Sequence, residues 1–198
     1  MSLFALRTTK GFKIMNYPWF EEICKTDTVT QGDIVVNCPI PLPSGELFDA
    51  ILDDKEECEE SIELKNANVI LLSQACDISN EKIDSLIVCP IWPLETLKAS
   101  NSYYKSSKAR ESLRQGKEPS YHLLNKYSSE NIKHEYSVVD FHRIYSLPKQ
   151  YIKKIAKSID IRLRLLPPYR EHLSQAFARY FMRVGLPIDI DKDAIKKI

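Results

Sequence analysis

A thiol beside a carboxylate, Cys76-Asp77, stands in the polar string Ser73-Gln74-Ala75-Cys76-Asp77-Ile78-Ser79-Asn80 between two apolar runs. A cysteine on such a turn, at a sheet edge near a helix start or a base, gains thiolate character and becomes a candidate nucleophile. Asp140 and His142 lie two residues apart in a segment of strand alternation, which puts both on one face and lets the carboxylate orient or charge the imidazole. Brought together, these groups make a Cys, His, Asp arrangement of the kind a covalent hydrolase uses. Two plainer readings compete with it. A cysteine beside a core strand is commonly just buried, and Cys76, Cys89, His122 and His142 have the ligand types of a metal site without its paired spacings. No metal and no cofactor is therefore expected. His134 and His172 lie in polar stretches and read as exposed.

Binding chemistry is concentrated in two basic groups. Lys105, Lys108, Arg110 and Arg114 recur at three- and four-residue spacing, with Tyr103, Tyr104 and Tyr121 close by. Aromatic and cationic side chains together can stack on and neutralise a single strand of nucleic acid, or meet an acidic protein. The plain alternative is a solvated helix face. Arg162, Arg164, Arg170, Arg179 and Arg183 form the second group, and Arg179 and Arg183, with Tyr103 and Tyr104, are the candidates for a partner interface.

The elements that must position these groups read as α+β. A short helix is expected around Tyr17 to Cys24, then a strand from Thr28 to Ile40 closed by Pro39, Pro41 and Pro43. Leu47 to Leu52 is a second short strand candidate, and Asp53 to Glu60, with six acids against one lysine, belongs on a solvated loop. Asn68 to Leu72 and Ser85 to Ile91 are near-continuous apolar runs, the pattern of strands buried on both faces. Pro90 and Pro93 should end the second run. Tyr103 to Gln115 reads as an exposed helix with little apolar face and Gly116 as its stop. Tyr136 to Leu147 reads as one strand, after which Ser146 caps a helix with Pro148 in its first turn. The last helix is the clearest: Tyr169, Leu173, Ala176, Phe177, Tyr180, Phe181 and Val184 form an aromatic stripe, with Pro167-Pro168 before it and Gly185-Leu186-Pro187 after it. That stripe is expected to pack on the chain's own sheet.

Composition narrows the classes. The 198 residues suit one domain, read as residues 28–147 strand-rich with the helix 103–115 inserted, and 148–187 helical. The 28 basic and 27 acidic side chains nearly cancel to +1, so there is no global field of the kind that draws nucleic-acid binders to phosphate. Five cysteines with no C-x-x-C spacing argue against a disulfide framework and a zinc ribbon, and a reducing cytoplasm fits best. The first residues lack the apolar core of a signal peptide, and no stretch nears the roughly 20 apolar residues of a membrane span.

Three strings, "QGDIVV" at Gln31 to Val36, "NVILLS" at Asn68 to Ser73 and "LIVCPI" at Leu86 to Ile91, resemble the start of the small SH3-like barrel of PemK and MazF toxins. The likeness covers Thr28 to Trp92. It implies an RNA-cleaving barrel whose activity leans on an arginine before the second strand and a Thr or Ser after the third. Here those places hold Lys65-Asn66-Ala67-Asn68 and Trp92-Pro93, so the resemblance implies the scaffold without that catalytic pair. The fold expected is a small SH3-like barrel, or a strongly bent antiparallel sheet, with a helical insertion and C-terminal amphipathic helices. The string from Leu165 to Pro187, with the "SQACDI" turn, also resembles an uncharacterised group of bacterial proteins associated with mobile-element and phage-defence neighbourhoods. The function expected is a non-catalytic binding or accessory subunit of a bacterial multi-component system, paired with another protein or with its own copy, nucleic acid being the second partner class. The alternative is a PemK-like nuclease or Cys-dependent hydrolase with a rearranged active site.

Overall fold

A computed structural model describes residues 17–45, 47, 52 and 62–182. Its strands are β1 (Phe20–Cys24), β2 (Ile34–Leu42), β3 (Glu63–Leu71), β4 (Ser85–Pro93), β5 (Tyr121–Leu124), β6 (Tyr127–Ser128), β7 (Lys133–His134), β8 (Ser137–Asp140), β9 (Tyr145–Pro148) and β10 (Ile161–Leu165). The helices are α1 (Ala75–Ser79), α2 (Leu94–Ser100), α3 (Ser107–Arg114), α4 (Lys149–Lys157) and α5 (Tyr169–Phe181), with a 3-10 turn at Ser102–Lys105.

The chain is mixed α+β, and its main sheet is antiparallel with the order β2-β3-β4-β8-β5. Strand β4 organises it. One edge of β4 takes β3, while the other takes β9 along Ser85–Val88 and β8 along Ile91–Pro93. The single strand expected over Tyr136 to Leu147 is therefore two, β8 and β9, separated by a turn at residues 141–144. This strand path does not close on itself. The described strands thus do not close into the expected SH3-like barrel; they form an antiparallel sheet, the other expectation, which splits along one edge of β4.

Pro43 and Pro93 stand at strand ends as the sequence suggested, but Pro39, Pro41 and Pro90 do not interrupt their strands. Pro39 and Pro41 lie within β2, the sheet's outermost strand, which pairs with β3 alone and does not need their missing N–H groups. Pro90 likewise sits inside β4. The bulge between Val35 and Cys38 places Asn37 at φ +51°, a conformation asparagine tolerates, and its N–H donates to Asn68 Oδ1 at 2.9 Å.

The expected helix at Tyr17 to Cys24 is strand β1. It pairs with β10, a strand the sequence reading missed, and this buries Phe20, Ile23, Leu163 and Leu165. Residues 28–33 are loop rather than strand, joined to β10 by one bridge from Asp33 to Arg164. Gly32, at φ +86°, is required there, because a Cβ would meet the Leu165 carbonyl oxygen at 3.0 Å. Leu47 is helical rather than extended, and the rest of its predicted strand except Leu52 lies outside the described residues, as does Asp53 to Glu60.

Three apolar clusters follow from this pairing. Most of the aromatic stripe of α5 lies on its own sheet as expected: Leu173 and Ala176 are buried with Leu124, Val139 and Phe141, and Tyr169, Phe177 and Tyr180 pack around them, while Phe181 is exposed and Val184, with the Gly185-Leu186-Pro187 stop, lies outside the described residues. Helix α4 covers a second cluster with Ile152 and Ala156. Its N-cap is Pro148, without a side-chain cap, not Ser146. The basic helix α3 is less exposed than predicted, since Ala109 and Leu113 bury with Tyr104, Leu97 and Val138 in the third cluster.

Candidate functional site

The predicted Cys, His, Asp set does not come together. Cys76 is exposed in the short helix α1, and its thiol meets only Asp77 Oδ1, at 3.7 Å, with no imidazole beside it. Asp77 in turn lies 4.0 Å from Lys82. Cys89, buried in β4, has its thiol pushed up to about 12 by burial and then by Asp140, which leaves it an inert protonated thiol.

The Asp140 and His142 pair does form, by a route other than a shared strand face. Strand β8 ends at Asp140 and the chain turns, so the buried Asp140 Oδ1 accepts both the His142 backbone N–H, at 3.0 Å, and Nδ1–H, at 2.9 Å. In the neutral ring this contact assigns the proton to Nδ1 and the acceptor role to Nε2, on a side chain that is 50% accessible. Tyr121 and Tyr180 flank the imidazole edge to face, at 5.3 and 6.1 Å between centroids.

His122, on β5 beside Val139, was weighed as a ligand and is something else. Its Nε2 is closed from solvent without a hydrogen-bond partner, and burial, with His172 and Arg179 adding, holds the ring down to about 4. It is a neutral core imidazole at neutral pH. His134, expected to be exposed, is half-buried, with Nε2 2.9 Å from Ser137 Oγ. Among the described residues no group of three His, Cys, Asp or Glu side chains is placed to hold a metal ion.

The basic helix contributes to a cleft of 570 Å³. Its floor is Trp19, Leu94, Leu113, Leu123 and Tyr136, and its charged rim is Arg110, Glu111 and Arg114. Arg114 holds Glu111 through two bonds of 2.7 and 2.6 Å, and this pairing keeps the Glu111 carboxyl down to about 2. Arg110 Nη1 donates to the carbonyls of Tyr104 and Lys105, tying α3 to the preceding 3-10 turn. Lys105 and Lys108 are exposed outside the cleft. Tyr103 is exposed and Tyr104 buried, and both hydroxyls donate to Glu118, at 3.0 and 3.4 Å. Arg179 is exposed on α5 with its guanidinium over Gly116, and Arg183 lies outside the described residues.

Arg162 and Arg164, grouped by sequence with surface cations, serve the interior. Asp33, fully buried, accepts from Arg164 at 2.5 and 3.2 Å and from the equally buried Arg162 at 3.5 Å. Arg162 further donates to the carbonyls of Ala156 and Asp27. Gln31 donates to the Leu72 carbonyl and to Ser174 Oγ on α5. The polar residues of the "QGDIVV" string are thus spent on joining β2 to β3, β10 and α5. The alternation Ile161-Arg162-Leu163-Arg164-Leu165 was the available signal that these arginines lie on a strand.

No family model matches this chain, and no curated protein matches it. The described helices include none long and apolar enough to cross a membrane.

Proposed function

We propose that this protein is a non-catalytic binding subunit that holds a protein partner in the cleft beneath α3. The observation that carries the reading is the contrast between two sites. The Cys76-Asp77 pair has no imidazole beside it and does not join the Asp140-His142 pair, whereas the cleft combines an apolar, aromatic floor with a charged rim, the make-up of an interface anchor point. The likeness of the Leu165 to Pro187 string to bacterial proteins of mobile-element and phage-defence neighbourhoods supports a place in a bacterial multi-component system. The cytoplasm suits it, given an odd cysteine count and no C-x-x-C pair.

Size-exclusion chromatography with light scattering tests this, with the chain alone, with the products of neighbouring genes, and with Tyr136→Ala. The reading expects a complex, hetero- or homo-oligomeric, that Tyr136→Ala weakens. A strictly monomeric protein that retains no neighbouring product ends it.

One observation favours a second reading, a hydrolase or nuclease: Asp140 presents His142 with Nε2 as acceptor, the posture of a general base. RNA and DNA cleavage by wild type, Cys76→Ala, Asp77→Ala and His142→Ala decides it. Unchanged background in all four removes the enzyme.

A further inference from the structure

We infer that the occupant of the cleft beneath α3 is a short acidic peptide segment anchored by an apolar side chain; this rests on the partner-binding reading above. Three features of the cleft lead there: its walls are preformed, its floor suits side chains, and its rim is unequal in charge.

Trp19 is stacked on Tyr169 with centroids 3.8 Å apart and planes 13° from parallel, which fixes one wall. The Leu94 N–H donates to the Tyr136 carbonyl at 2.8 Å, which ties two more of the lining residues together. The two bonds from Arg110 to the 3-10 turn hold α3 over the opening. A cleft already in shape costs a ligand little ordering entropy.

The floor is built for aliphatic or aromatic side chains. Leu94, Leu113 and Leu123 offer no face on which a nucleobase stacks, one face of Trp19 is already taken by Tyr169, and Lys126 stands over the Tyr136 ring. A leucine or phenylalanine side chain entering between Trp19 and Tyr136 would remove apolar surface from water on both partners.

The rim favours carboxylates. Glu111 is its acid, and that acid is occupied by Arg114 and by Gln115 at 2.6 Å. Arg110 meets two carbonyls and, among the described residues, no carboxylate, so its guanidinium keeps donors for an incoming one. Lys126 Nζ lies 5.7 Å from the Tyr136 ring centroid and adds a cation on that side. A nucleic-acid strand needs a run of cations along its phosphates, and this cleft supplies a local pair beside three leucines, Trp19 and Tyr136.

Fluorescence anisotropy with labelled peptides tests the inference on the full chain. The probes are a peptide with a Leu-Phe pair followed by four glutamates, the same peptide with lysines for the glutamates, one with serines for Leu-Phe, and a short uridine oligonucleotide. The acidic peptide is expected to bind at least about tenfold more tightly than each control. Arg110→Gln and Tyr136→Ala, whose folding is checked by circular dichroism, should each weaken it about tenfold. Lys157→Gln, on a different cleft, should not change it. Equal binding of the acidic and lysine peptides, or no effect of Arg110→Gln in a folded variant, overturns the inference. Tighter binding of the oligonucleotide overturns it in favour of nucleic acid. If no peptide binds while a neighbouring gene product is retained and Tyr136→Ala releases it, the acidic-peptide inference falls and the partner-binding reading survives. If neither binds, both fall.

Discussion

His122 gives the chain a pH-dependent stability whose size follows from its surroundings. Burial first, and then the nearby His172 and Arg179, hold its imidazole at about 4, against 6.5 for the free side chain. The unfolded chain therefore takes up this proton before the folded one does. Above pH 6.5 both states are neutral here and the stability is fully present; it is lost as the pH falls from there toward 4. The difference of about 2.5 units is worth about 3 kcal/mol in full, of which about 2 kcal/mol is gone by pH 5. Urea denaturation of wild type and His122→Leu at pH 7.5 and 5.0 measures it. At a slope of about 2 kcal/mol per molar, the wild-type midpoint should fall about 1 M further than that of the variant. His134, which burial also lowers, is present in both proteins and cancels in the comparison. The variant should be at least as stable at pH 7.5, since it also removes an unpartnered buried nitrogen. Parallel pH profiles for the two proteins would refute the reasoning.

Asp33→Ala leaves Arg162 buried without its counter-charge and should cost about 3–5 kcal/mol in the same denaturation experiment, because an uncompensated buried charge is the expensive outcome; a loss under about 1 kcal/mol would mean the network contributes little. Thiol labelling mapped by mass spectrometry should modify Cys24 and Cys76 quickly in the native protein. Cys38 and Cys89, buried and pushed up to about 11 and about 12, should react only on unfolding. A native labelling rate for Cys89 close to that of Cys76 would contradict the burial argument.

How much of this was legible in the sequence depends on how each residue spends its chemistry. The apolar runs of β3 and β4 and the aromatic stripe of α5 were readable because burial on a sheet or helix face leaves a period. Strand β1 was read as a helix because Phe20 and Ile23 are three apart, a spacing both structures allow, and only the pairing with β10 decides between them. Pro39 and Pro41 read as strand ends, and their place on the outermost strand, where no donor is needed, appears only once the sheet is assembled. The Asp140 and His142 pair was found on the wrong geometry: two residues apart suggested a common strand face, while the turn after β8 brings them together through one carboxylate oxygen. The cleft was invisible, since its floor draws on Trp19, Leu94, Leu113, Leu123 and Tyr136, spread over more than half the chain.

Strand β5 shows most clearly why function was harder to read than fold. Tyr121-His122-Leu123-Leu124 has no clean alternation, because neither of its faces is left to water. Tyr121 and Leu123 turn toward the cluster under α3, where Leu123 lines the cleft and the Tyr121 ring reaches His142. His122 and Leu124 turn the other way: Leu124 joins the cluster beneath α5, and His122 titrates under the influence of His172 and Arg179 on that helix. Four residues thus touch the proposed binding cleft, the His142 imidazole and the packing of the C-terminal helix. These three places meet on one four-residue strand, an arrangement that no spacing in the sequence records.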